Sequence, residues 1–374
     1  MRVLHIIEGV DKNLGGQPVA LFGILKMEEH IGVTSDILST EPPAGTFNKH
    51  LFSQQFRFFE SSFPKRYYRS KGAIRWLRQN IDNYELIIFH GIWNFLVFES
   101  FLLAVKARKR YIIWPHGSLV PYDLKKKYFL KRIIGNLLLK KVLANAYRLC
   151  LTSQTENQVL EKFRATIKTV ILPLPVDNKF DIIDQFSAEN VFTPFTFLYM
   201  GRLDKKKGLE LTIEAFEIIH KKFGNIKLDI WGTGDKNYTN TILTLIKDKK
   251  LEQKVSLNGF LDVNRKQEVF LKAGCFMLAS KYENFGIAPI EALQAGLPVL
   301  ITDNVFIWHD IAEAGWVATY SLKSVTTLME DVLSNKDRYV SKRRLSQQIG
   351  NKFRTDNLAP LYRNFYADLL NKKA

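Results

Sequence analysis

Short hydrophobic runs rich in β-branched and aromatic residues alternate along the chain with longer segments of helical periodicity. Strands of a parallel sheet buried on both faces have this pattern, because helices cover both sides of the sheet. Two series of strands are predicted: Val3–Ile7, Leu86–Phe89, Tyr111–Trp114, Arg148–Thr152 and Thr169–Leu172 in the first, and Phe195–Met200, Lys227–Trp231, Val255–Leu257, Cys275–Ala279 and Pro298–Ile301 in the second. The pattern therefore predicts an α/β protein with two doubly wound domains.

The segment between the two series is expected to be an extended connector. Pro173 and Pro175 lie two residues apart in it, and a polar stretch without clear periodicity follows. Proline disfavours the helical conformation in the residue before it, so the segment is stiff and extended. We therefore predict an N-terminal domain of residues 1–175 and a C-terminal domain of residues 190–357.

The last stretch of the chain has Leu358, Leu361, Phe365 and Leu369 at helical spacing. This spacing predicts an amphipathic helix over about 358–374, which we expect to pack back on the N-terminal domain. Two doubly wound domains that face each other leave a cleft between the carboxyl ends of their sheets, and ligands of such folds bind there.

The composition is that of a globular enzyme, with 46% hydrophobic and 24% charged residues among 374. Cys150 and Cys275 both lie in apolar runs predicted to be strands, so we expect buried, reduced thiols and a cytoplasmic protein. The first residues, MRVLHIIEGV, are expected to form a buried strand rather than a signal peptide. The chain has no apolar run of the length that a membrane-spanning helix needs.

A net charge of +17, most of it in the first half of the chain, calls for an anionic partner. Residues 124–143 carry seven lysines and arginines along an amphipathic pattern, and residues 65–78 interleave cations with tyrosine and tryptophan. Such a helix is typical of proteins that lie on an anionic bilayer, but an ordinary domain helix with a solvated basic edge explains it equally well. We predict a peripheral contact with the inner face of the cell membrane.

A cationic loop opens the second domain. The strand Phe195–Met200 runs into Gly201 and Arg202, and Lys207 and Gly208 follow before the next helix. Arginine can grip phosphate oxygens with two hydrogen bonds, and lysine can add a point charge to the same group. Because the loop follows a strand, it is expected at the cleft. This position favours a phosphate-binding role for the three lysines over the alternative of a merely solvated run of charges.

The strongest motif comes after a later strand of the same domain. Glu283 and Gly286 are expected in a loop, and Glu291 lies eight residues after Glu283 in a helix predicted from Ile287 to Ala295. The amides at such a helix start, with the positive end of the helix dipole, suit a diphosphate.

Two features of the first domain are weaker. Gly15 and Gly16 lie between a strand and a helix, where they either approach an anion or form a plain tight turn. His90 and His116 each follow a strand and precede a glycine, so both are expected to point into the cleft. There a histidine can donate a hydrogen bond or handle a proton near neutral pH.

Together these motifs resemble the large family 4 of retaining glycosyltransferases, the glycosyl transferases of group 1. The pair Glu283 and Glu291, the loop from Gly201 to Gly208, the early glycine pair and His116-Gly117 match in order over nearly the full length. The resemblance implies a GT-B fold, two Rossmann-like domains facing across a cleft. It also implies metal-independent transfer of a sugar from a nucleotide-sugar donor, with no further cofactor.

The resemblance also implies roles for single residues. Arg202 and Lys207 would neutralise the donor diphosphate. Glu291 would bind the donor ribose, and Glu283 would contact the donor sugar near its reacting carbon. The remaining positions that the resemblance assigns to donor binding are Gly15, Gly16, Gly232, Phe285, Gly286 and Ile287. His116 would lie beside the donor sugar and assist transfer.

The expected acceptor is a glycan or a lipid-diphosphate-linked intermediate of cell-surface polysaccharide assembly, such as O-antigen, capsule or exopolysaccharide. Neither Trp231–Asp235 nor Asn258–Phe260, the segments expected to hold the base, identifies it. The alternative is a catalytically inactive GT-B protein that binds a membrane surface or a polyanion, which explains the charge but not the full set of motifs. A nicotinamide dehydrogenase would need a G-x-G-x-x-G turn that is missing here. Nucleic-acid binding would rest on charge alone and is not expected.

Overall fold

The computed structural model describes residues 1–11, 16–40, 53–62, 68–119, 140–161, 168–177 and 194–371. Three features singled out from the sequence fall at least partly outside these residues. They are Gly15, residues 65–67 of the first basic segment, and residues 124–139 of the second.

The chain divides into two compact units. The N-terminal unit comprises Met1–Pro175 together with Thr355–Ala374, and the C-terminal unit comprises Val176–Arg354. The change from one unit to the next therefore falls at Pro175, at the end of the proline-containing connector.

The N-terminal unit contains a seven-stranded, parallel sheet in the order β3-β2-β1-β4-β5-β6-β7. Its strands are β1 Arg2–Ile6, β2 Thr34–Ser39, β3 Gln55–Phe58, β4 Leu86–His90, β5 Tyr111–Trp114, β6 Arg148–Leu151 and β7 Thr169–Ile171. Its helices are α1 Gly16–His30, α2 Lys71–Asn80, α3 Phe95–Lys106, α4 Lys140–Ala144 and α5 Gln154–Glu161, and a 3₁₀ turn spans Ile81–Asn83.

The C-terminal unit repeats this architecture with a six-stranded parallel sheet in the order β10-β9-β8-β11-β12-β13. Its strands are β8 Phe195–Met200, β9 Ile226–Trp231, β10 Val255–Leu257, β11 Cys275–Leu278, β12 Val299–Thr302 and β13 Gly315–Ala318. Its helices are α6 Leu209–Phe223, α7 Lys236–Asp248, α8 Lys266–Leu271, α9 Ile287–Gln294, α10 Trp308–Ile311, α11 Leu322–Ser334 and α12 Lys336–Asn351. Three 3₁₀ turns span Lys205–Lys207, Val263–Arg265 and Ala312–Ala314.

Both sheets have a position where the strand order reverses direction. It lies between β1 and β4 in the first sheet and between β8 and β11 in the second. In open parallel sheets, the loops at the carboxyl ends of the two strands flanking such a point diverge and leave a crevice that binds ligands. The strand order therefore marks the loops after β1, β4, β8 and β11 as the places to examine.

A last helix, α13 (Thr355–Asn371), returns to the N-terminal unit. It begins at Thr355, three residues before the predicted start at Leu358. The buried Tyr362 stacks on Trp114 with ring centroids 6.4 Å apart and donates a hydrogen bond to the carbonyl oxygen of Pro173 at 3.0 Å. Arg148 pairs with Asp368 at 3.1 Å. This helix therefore completes the hydrophobic core of a unit that the chain left about 180 residues earlier.

The predicted strands are present, most with ends shifted by one residue; β5, β8 and β10 have the predicted bounds. The sequence analysis missed β2, β3 and β13. In β3 the short run Gln-Phe-Arg-Phe is only half-buried at an edge, so it lacks the continuous hydrophobic pattern of central strands. Cys150 and Cys275 are buried free thiols, as expected. None of the helices in the described part of the chain has both the length and the hydrophobicity needed to cross a membrane.

Candidate active site

In the C-terminal unit, the loops after β8 and β11 pack tightly against each other. The amide of Lys281 donates to the carbonyl oxygen of Lys206 at 2.8 Å. At Gly208, with φ of 69°, an added Cβ would lie 1.8 Å from the carbonyl oxygen of Ala279, so only glycine fits. This close approach brings a cation of one loop to a carboxylate of the other.

Lys207 and Glu283 are that pair: the Nζ of Lys207 is in direct contact with Oε2 of Glu283. Their side chains are only 16% and 18% exposed. The backbone of Glu283 is fixed as well, because its amide donates to the carbonyl oxygen of Asn304 at 2.9 Å and its own carbonyl accepts from the amide of Phe306 at 3.0 Å. The pair is therefore held at the switch point on a braced backbone.

The local charge keeps Glu283 ionised. Burial by itself raises the pKa of the carboxyl, but the positive charges of Lys207, Lys206 and Arg202 outweigh burial, so the pKa lies below its usual value. The site thus holds a carboxylate within a group of cations.

Arg202 is placed differently from Lys207. Its side chain is 44% exposed, and its guanidinium contacts Asp204 at 3.3 Å. The carbonyl oxygen of Arg202 accepts a hydrogen bond at 2.8 Å from the hydroxyl of Tyr199 on β8. The backbone is therefore anchored while the long side chain can reach for a ligand at modest cost, because an exposed ion pair is worth little.

The helix α9 begins at Ile287, directly after the Glu283 loop. Gly286 precedes it in the left-handed conformation with φ of 80°, and an added Cβ would lie 3.1 Å from Cγ1 of Val305. Phe285 is buried against Phe353, with ring centroids 5.8 Å apart. The anchored phenyl ring and the turn at glycine orient the first amides of the helix, which have no acceptor within the helix itself.

Glu291 is almost fully buried on α9 and pairs with Lys266 of α8 at 2.6 Å. The sequence analysis did not identify Lys266, because nothing in the local pattern of α8 distinguishes it from a surface lysine. The pair holds the Glu291 carboxylate in one orientation and partly neutralises it.

The loops after β9 and β10 meet at glycines. At Gly232, φ is 145°, and an added Cβ would lie 1.8 Å from the carbonyl oxygen of Gly201. The amide of Gly232 donates to the carbonyl oxygen of Gly259 at 2.6 Å. Next to this junction Arg265 lies over the ring of Trp231 at 5.5 Å, and Phe260 is 73% exposed. Gly232 is thus required for loop packing, and an exposed aromatic ring stands beside it.

In the N-terminal unit, His90 is the last residue of β4, and His116 follows the end of β5. His116 has φ of 49°, a left-handed conformation that is uncommon for residues other than glycine, and Gly117 continues it with φ of 76°. The carboxylate of Glu156 accepts a hydrogen bond from the amide of Gly117 at 3.1 Å and another from the amide of Thr152 at 2.8 Å. These two hydrogen bonds hold the turn in place. Strain of this kind is typical of functional sites.

His116 is half-buried, whereas His90 and His5 of β1 are completely buried. Nε2 of His116 lies 2.9 Å from Nδ1 of His90, and Nε2 of His90 lies 2.9 Å from Nδ1 of His5. Nε2 of His5 in turn lies 2.9 Å from a carboxylate oxygen of Glu28 on α1. The sequence analysis did not identify His5 or Glu28; a lone histidine inside the apolar run of β1 was the available signal.

Burial lowers the pKa of His116 to about 3. Burial also lowers the pKa of His90 well below the usual value, with smaller contributions from the neighbouring histidines.

Gly16 begins α1, and among the described residues no atom lies within 4 Å of a Cβ added there, so the position has space around it.

The two Rossmann-like parallel sheets define a GT-B fold, and solved structures share it. The Anabaena protein Alr3699/HepE, solved in complex with UDP and glucose, superposes with a TM-score of 0.78 at 15% identity, covering 98% of this chain and 100% of its own. At this level of identity the likeness establishes the fold alone.

The family model of the glycosyl transferases group 1 matches residues 182–352, which span most of the C-terminal unit. The O-antigen biosynthesis glycosyltransferase WclY of Escherichia coli is 27% identical over 174 residues, 46% of this chain and 46% of its own. The GDP-mannose:cellobiosyl-diphosphopolyprenol alpha-mannosyltransferase of Xanthomonas oryzae pv. oryzae is 22% identical over 316 residues, 81% of this chain and 79% of its own.

These matches confirm the resemblance to glycosyl transferases of group 1, while the narrower assignment to family 4 stays a prediction. The chain spans about half the length of WclY, since the matched segment covers 46% of that protein.

Proposed function

We propose that this protein is a retaining glycosyltransferase that moves a sugar from a nucleotide-sugar donor to a glycan or lipid-linked acceptor. The observation that carries the proposal is the group of charges at the switch point of the C-terminal unit. There Lys207 contacts Glu283, Arg202 lies on the same loop as Lys207, and α9 begins four residues after Glu283. Cations beside a helix start suit a diphosphate, and a carboxylate beside them suits a sugar.

The charges match what sugar transfer requires. Departure of a nucleoside diphosphate develops negative charge on the bridging oxygen and positive charge on the sugar carbon. We assign Arg202, Lys207 and the first amides of α9 to the diphosphate, and the carboxylate of Glu283 to the sugar. Charged groups already held in place stabilise a transition state without further reorganisation.

Glu291 is assigned to the ribose hydroxyls of the donor. Its carboxylate is held by Lys266 at 2.6 Å, so it can accept hydrogen bonds in one fixed orientation. Gly232 is assigned to the packing of the loops expected to hold the base. For the N-terminal unit we assign His116 a supporting role in transfer, through the nitrogen that is not bonded to His90.

The acceptor class rests on the relatives. WclY acts in O-antigen biosynthesis, and the Xanthomonas enzyme transfers mannose to a diphosphopolyprenol-linked disaccharide, as their names state. We therefore propose an acceptor of cell-surface polysaccharide assembly. From the resemblance to retaining glycosyltransferases we also propose a reaction that needs no divalent metal. Lys71, Arg75 and Arg78 are exposed on one helix, α2, which supports a peripheral contact with an anionic membrane.

A thermal-shift screen tests the donor class. UDP, GDP, ADP and their common sugar conjugates are added to the wild-type protein and to Arg202→Ala, with and without EDTA. We expect one nucleotide to raise the melting temperature selectively, with the shift reduced in the variant and unaffected by EDTA.

No shift with any nucleotide would contradict the proposal. If the same protein bound vesicles containing anionic lipid, the inactive, surface-binding alternative would replace it. Analysis of the anomeric configuration of the product by NMR then tests retention, and an inverted product would refute that part.

A further inference from the structure

The four residues Glu28, His5, His90 and His116 form an unbroken row of hydrogen bonds, which we call the histidine relay. The three nitrogen-to-nitrogen and nitrogen-to-oxygen contacts that join them are each 2.9 Å long. The relay runs from α1 through β1 and β4 to the turn after β5, so it crosses the switch point of the N-terminal sheet.

The rings in the relay lie edge to edge. The centroids of His5 and His90 are 5.2 Å apart with 28° between the ring planes, and those of His90 and His116 are 5.2 Å apart with 13°. Rings stacked face to face at this separation could not bring two nitrogens to 2.9 Å. An N–H bond lies in the plane of its imidazole, so nearly coplanar rings meeting by their edges give well-aligned hydrogen bonds.

The inner end of the relay is a buried carboxylate with several donors. Oε1 of Glu28 accepts from the hydroxyl of Tyr366 on α13, and Oε2 accepts from the hydroxyl of Ser35 on β2. Glu28 and His5 are both completely buried. An ionised carboxylate is an acceptor only, so the remaining contact requires that Nε2 of His5 carry a proton and donate it.

That single requirement determines the proton positions along the whole relay. With a proton on Nε2, neutral His5 has a lone pair on Nδ1 and must accept from Nε2–H of His90. His90 then has a lone pair on Nδ1 and must accept from Nε2–H of His116. The last imidazole is therefore left with a lone pair on Nδ1.

We propose that Glu28, His5 and His90 are positioning residues that hold His116 in the Nε2–H tautomer, so that its Nδ1 accepts a hydrogen bond from a hydroxyl group of a sugar ligand. Among the described residues Nδ1 of His116 has no hydrogen-bond partner, and the side chain is half-buried rather than enclosed. The left-handed turn at His116, held by Glu156, fixes the direction of this nitrogen. The assignment of a sugar as ligand rests on the proposed function.

Two other interpretations of the relay, a metal site and a purely structural role, agree less well with the geometry. A metal site needs ligand atoms that converge on one point, whereas here the nitrogens face each other in pairs, and no metal-binding cluster of His, Cys, Asp and Glu occurs in the described parts of the chain. A purely structural row would not require a strained, half-buried residue at its outer end.

The first test reads the tautomer directly and needs no enzyme activity. Histidine labelled with ¹⁵N at both ring positions is incorporated into the full-length protein, and His116→Gln assigns the His116 signals among the seven histidines. At pH 8 we expect Nδ1 of His116 to show the shift of an unprotonated nitrogen and Nε2 that of a protonated one. A protonated Nδ1 at this pH would overturn the proposal.

The second test changes the inner end of the relay. Glu28→Gln keeps the shape but replaces the carboxylate by an amide that can donate to Nε2 of His5, so we expect a measurable population of Nδ1–H at His116. His90→Phe removes both ring nitrogens of the middle residue. The matched control is Tyr362→Phe, which removes the hydrogen bond from the Tyr362 hydroxyl to the carbonyl oxygen of Pro173. Tyr362 lies on the same helix as Tyr366 but makes no contact that belongs to the relay.

We expect Glu28→Gln and His90→Phe to lower kcat roughly 10- to 100-fold, the range found when a group that orients a metal-binding histidine is removed. Tyr362→Phe should leave both kcat and the His116 tautomer unchanged, and all variants should keep the thermal shift caused by the nucleotide. Wild-type kcat and an unchanged tautomer in both relay variants would overturn the relay, even if the protein proves to be a glycosyltransferase. If one variant fails to fold, the other and the wild-type spectrum still decide the question.

Discussion

Lys207→Met is the substitution whose effect the structure specifies most fully. Methionine keeps much of the length of the side chain and removes the ammonium group. In the wild-type protein that ammonium is in direct contact with Glu283, and both side chains are more than four-fifths buried. The variant therefore leaves a mostly buried carboxylate without its nearest cation.

The expected loss of stability follows from that burial. Removing one partner of a buried ion pair typically costs about 3–5 kcal/mol in unfolding free energy, because the remaining charge is left uncompensated. We expect the lower end of this range, since Lys206 and Arg202 still act on Glu283. In the proposed donor site, losing a charge-assisted hydrogen bond of about 1.5–3 kcal/mol weakens nucleotide-sugar binding roughly 10- to 150-fold.

The pH dependence provides a second readout. Cations hold the pKa of Glu283 below its unfolded value, so the pair stabilises the fold above that unfolded value, and the stability is lost as pH falls through the folded pKa. In Lys207→Met the folded pKa rises, and this contribution should shrink or reverse. Urea unfolding of the wild-type protein and of Lys207→Met at pH 7 and at pH 4 measures how the unfolding free energy of each depends on pH.

The matched control is Lys249→Met in the same unit. Lys249 pairs with Glu217 at 2.5 Å, and the two side chains are 22% and 20% exposed, close to the values for the site pair. Glu217 also retains Lys221 at 2.7 Å. The control should lose less stability and should bind the nucleotide found in the screen as tightly as the wild-type protein does.

Isothermal titration calorimetry with that nucleotide and its sugar conjugate measures the binding difference. Equal affinity in Lys207→Met and the wild-type protein would refute the role of Lys207 at the diphosphate. Equal weakening in both lysine variants would show that the effect comes from general destabilisation rather than from the site.

Three further outcomes follow from the structure. Gly232→Ala should destabilise the C-terminal unit by at least about 2 kcal/mol in chemical unfolding, because the new methyl group would meet a backbone oxygen at 1.8 Å. Gly16→Ala is the control: the position has open space around it, so this variant should unfold like the wild-type protein. Cys150 and Cys275 are buried and burial raises the pKa of both thiols, so neither should react with a thiol reagent at pH 7 until the protein is denatured; rapid labelling of the native protein would contradict their burial. Burial lowers the pKa of His116 from its unfolded value of 6.5 to about 3, so unfolding studied by calorimetry should show stability falling as pH drops below 6.5, and this slope should be smaller in His116→Gln.

The strands could be predicted from the sequence where both faces are covered. Every residue of Phe195–Met200 is buried, and Thr196 is the one residue of the run that is neither aliphatic nor aromatic, so the hydrophobic pattern is nearly continuous. The segment Thr34–Ser39 forms a strand just as regular, but it contains a threonine, two serines and an aspartate, so the hydrophobic pattern does not reveal it. Asp36 is held there by Arg2 at 2.7 Å and by the hydroxyl of Tyr84, which only the folded structure brings together.

The site was predictable as separate residues but not as contacts. Lys207 and Glu283 were identified from their own motifs, yet their contact depends on β8 and β11 being neighbours, although 76 positions separate the two residues. The same holds for the relay. His90 ends a strand and His116 closely follows one, so local patterns point to both, whereas their contacts with His5 and Glu28 depend on the strand order β1-β4-β5 and on the packing of α1. Local patterns indicate which residues are unusual, and strand order decides which of them meet.

The return of α13 has a consequence for how the protein is made. The ribosome completes the first 175 residues of the N-terminal unit about 180 residues before it begins α13. At roughly 5–20 residues per second this delay lasts on the order of 10–40 s, which is long compared with the folding of most small domains.

Throughout that interval Trp114 lacks the ring of Tyr362, and the carboxylate of Glu28 lacks the hydroxyl of Tyr366. The C-terminal unit, whose residues run from Val176 to Arg354 without interruption, can fold first as it emerges. The nascent protein can therefore form its proposed donor site before the hydroxyl of Tyr366 reaches Glu28 at the inner end of the histidine relay.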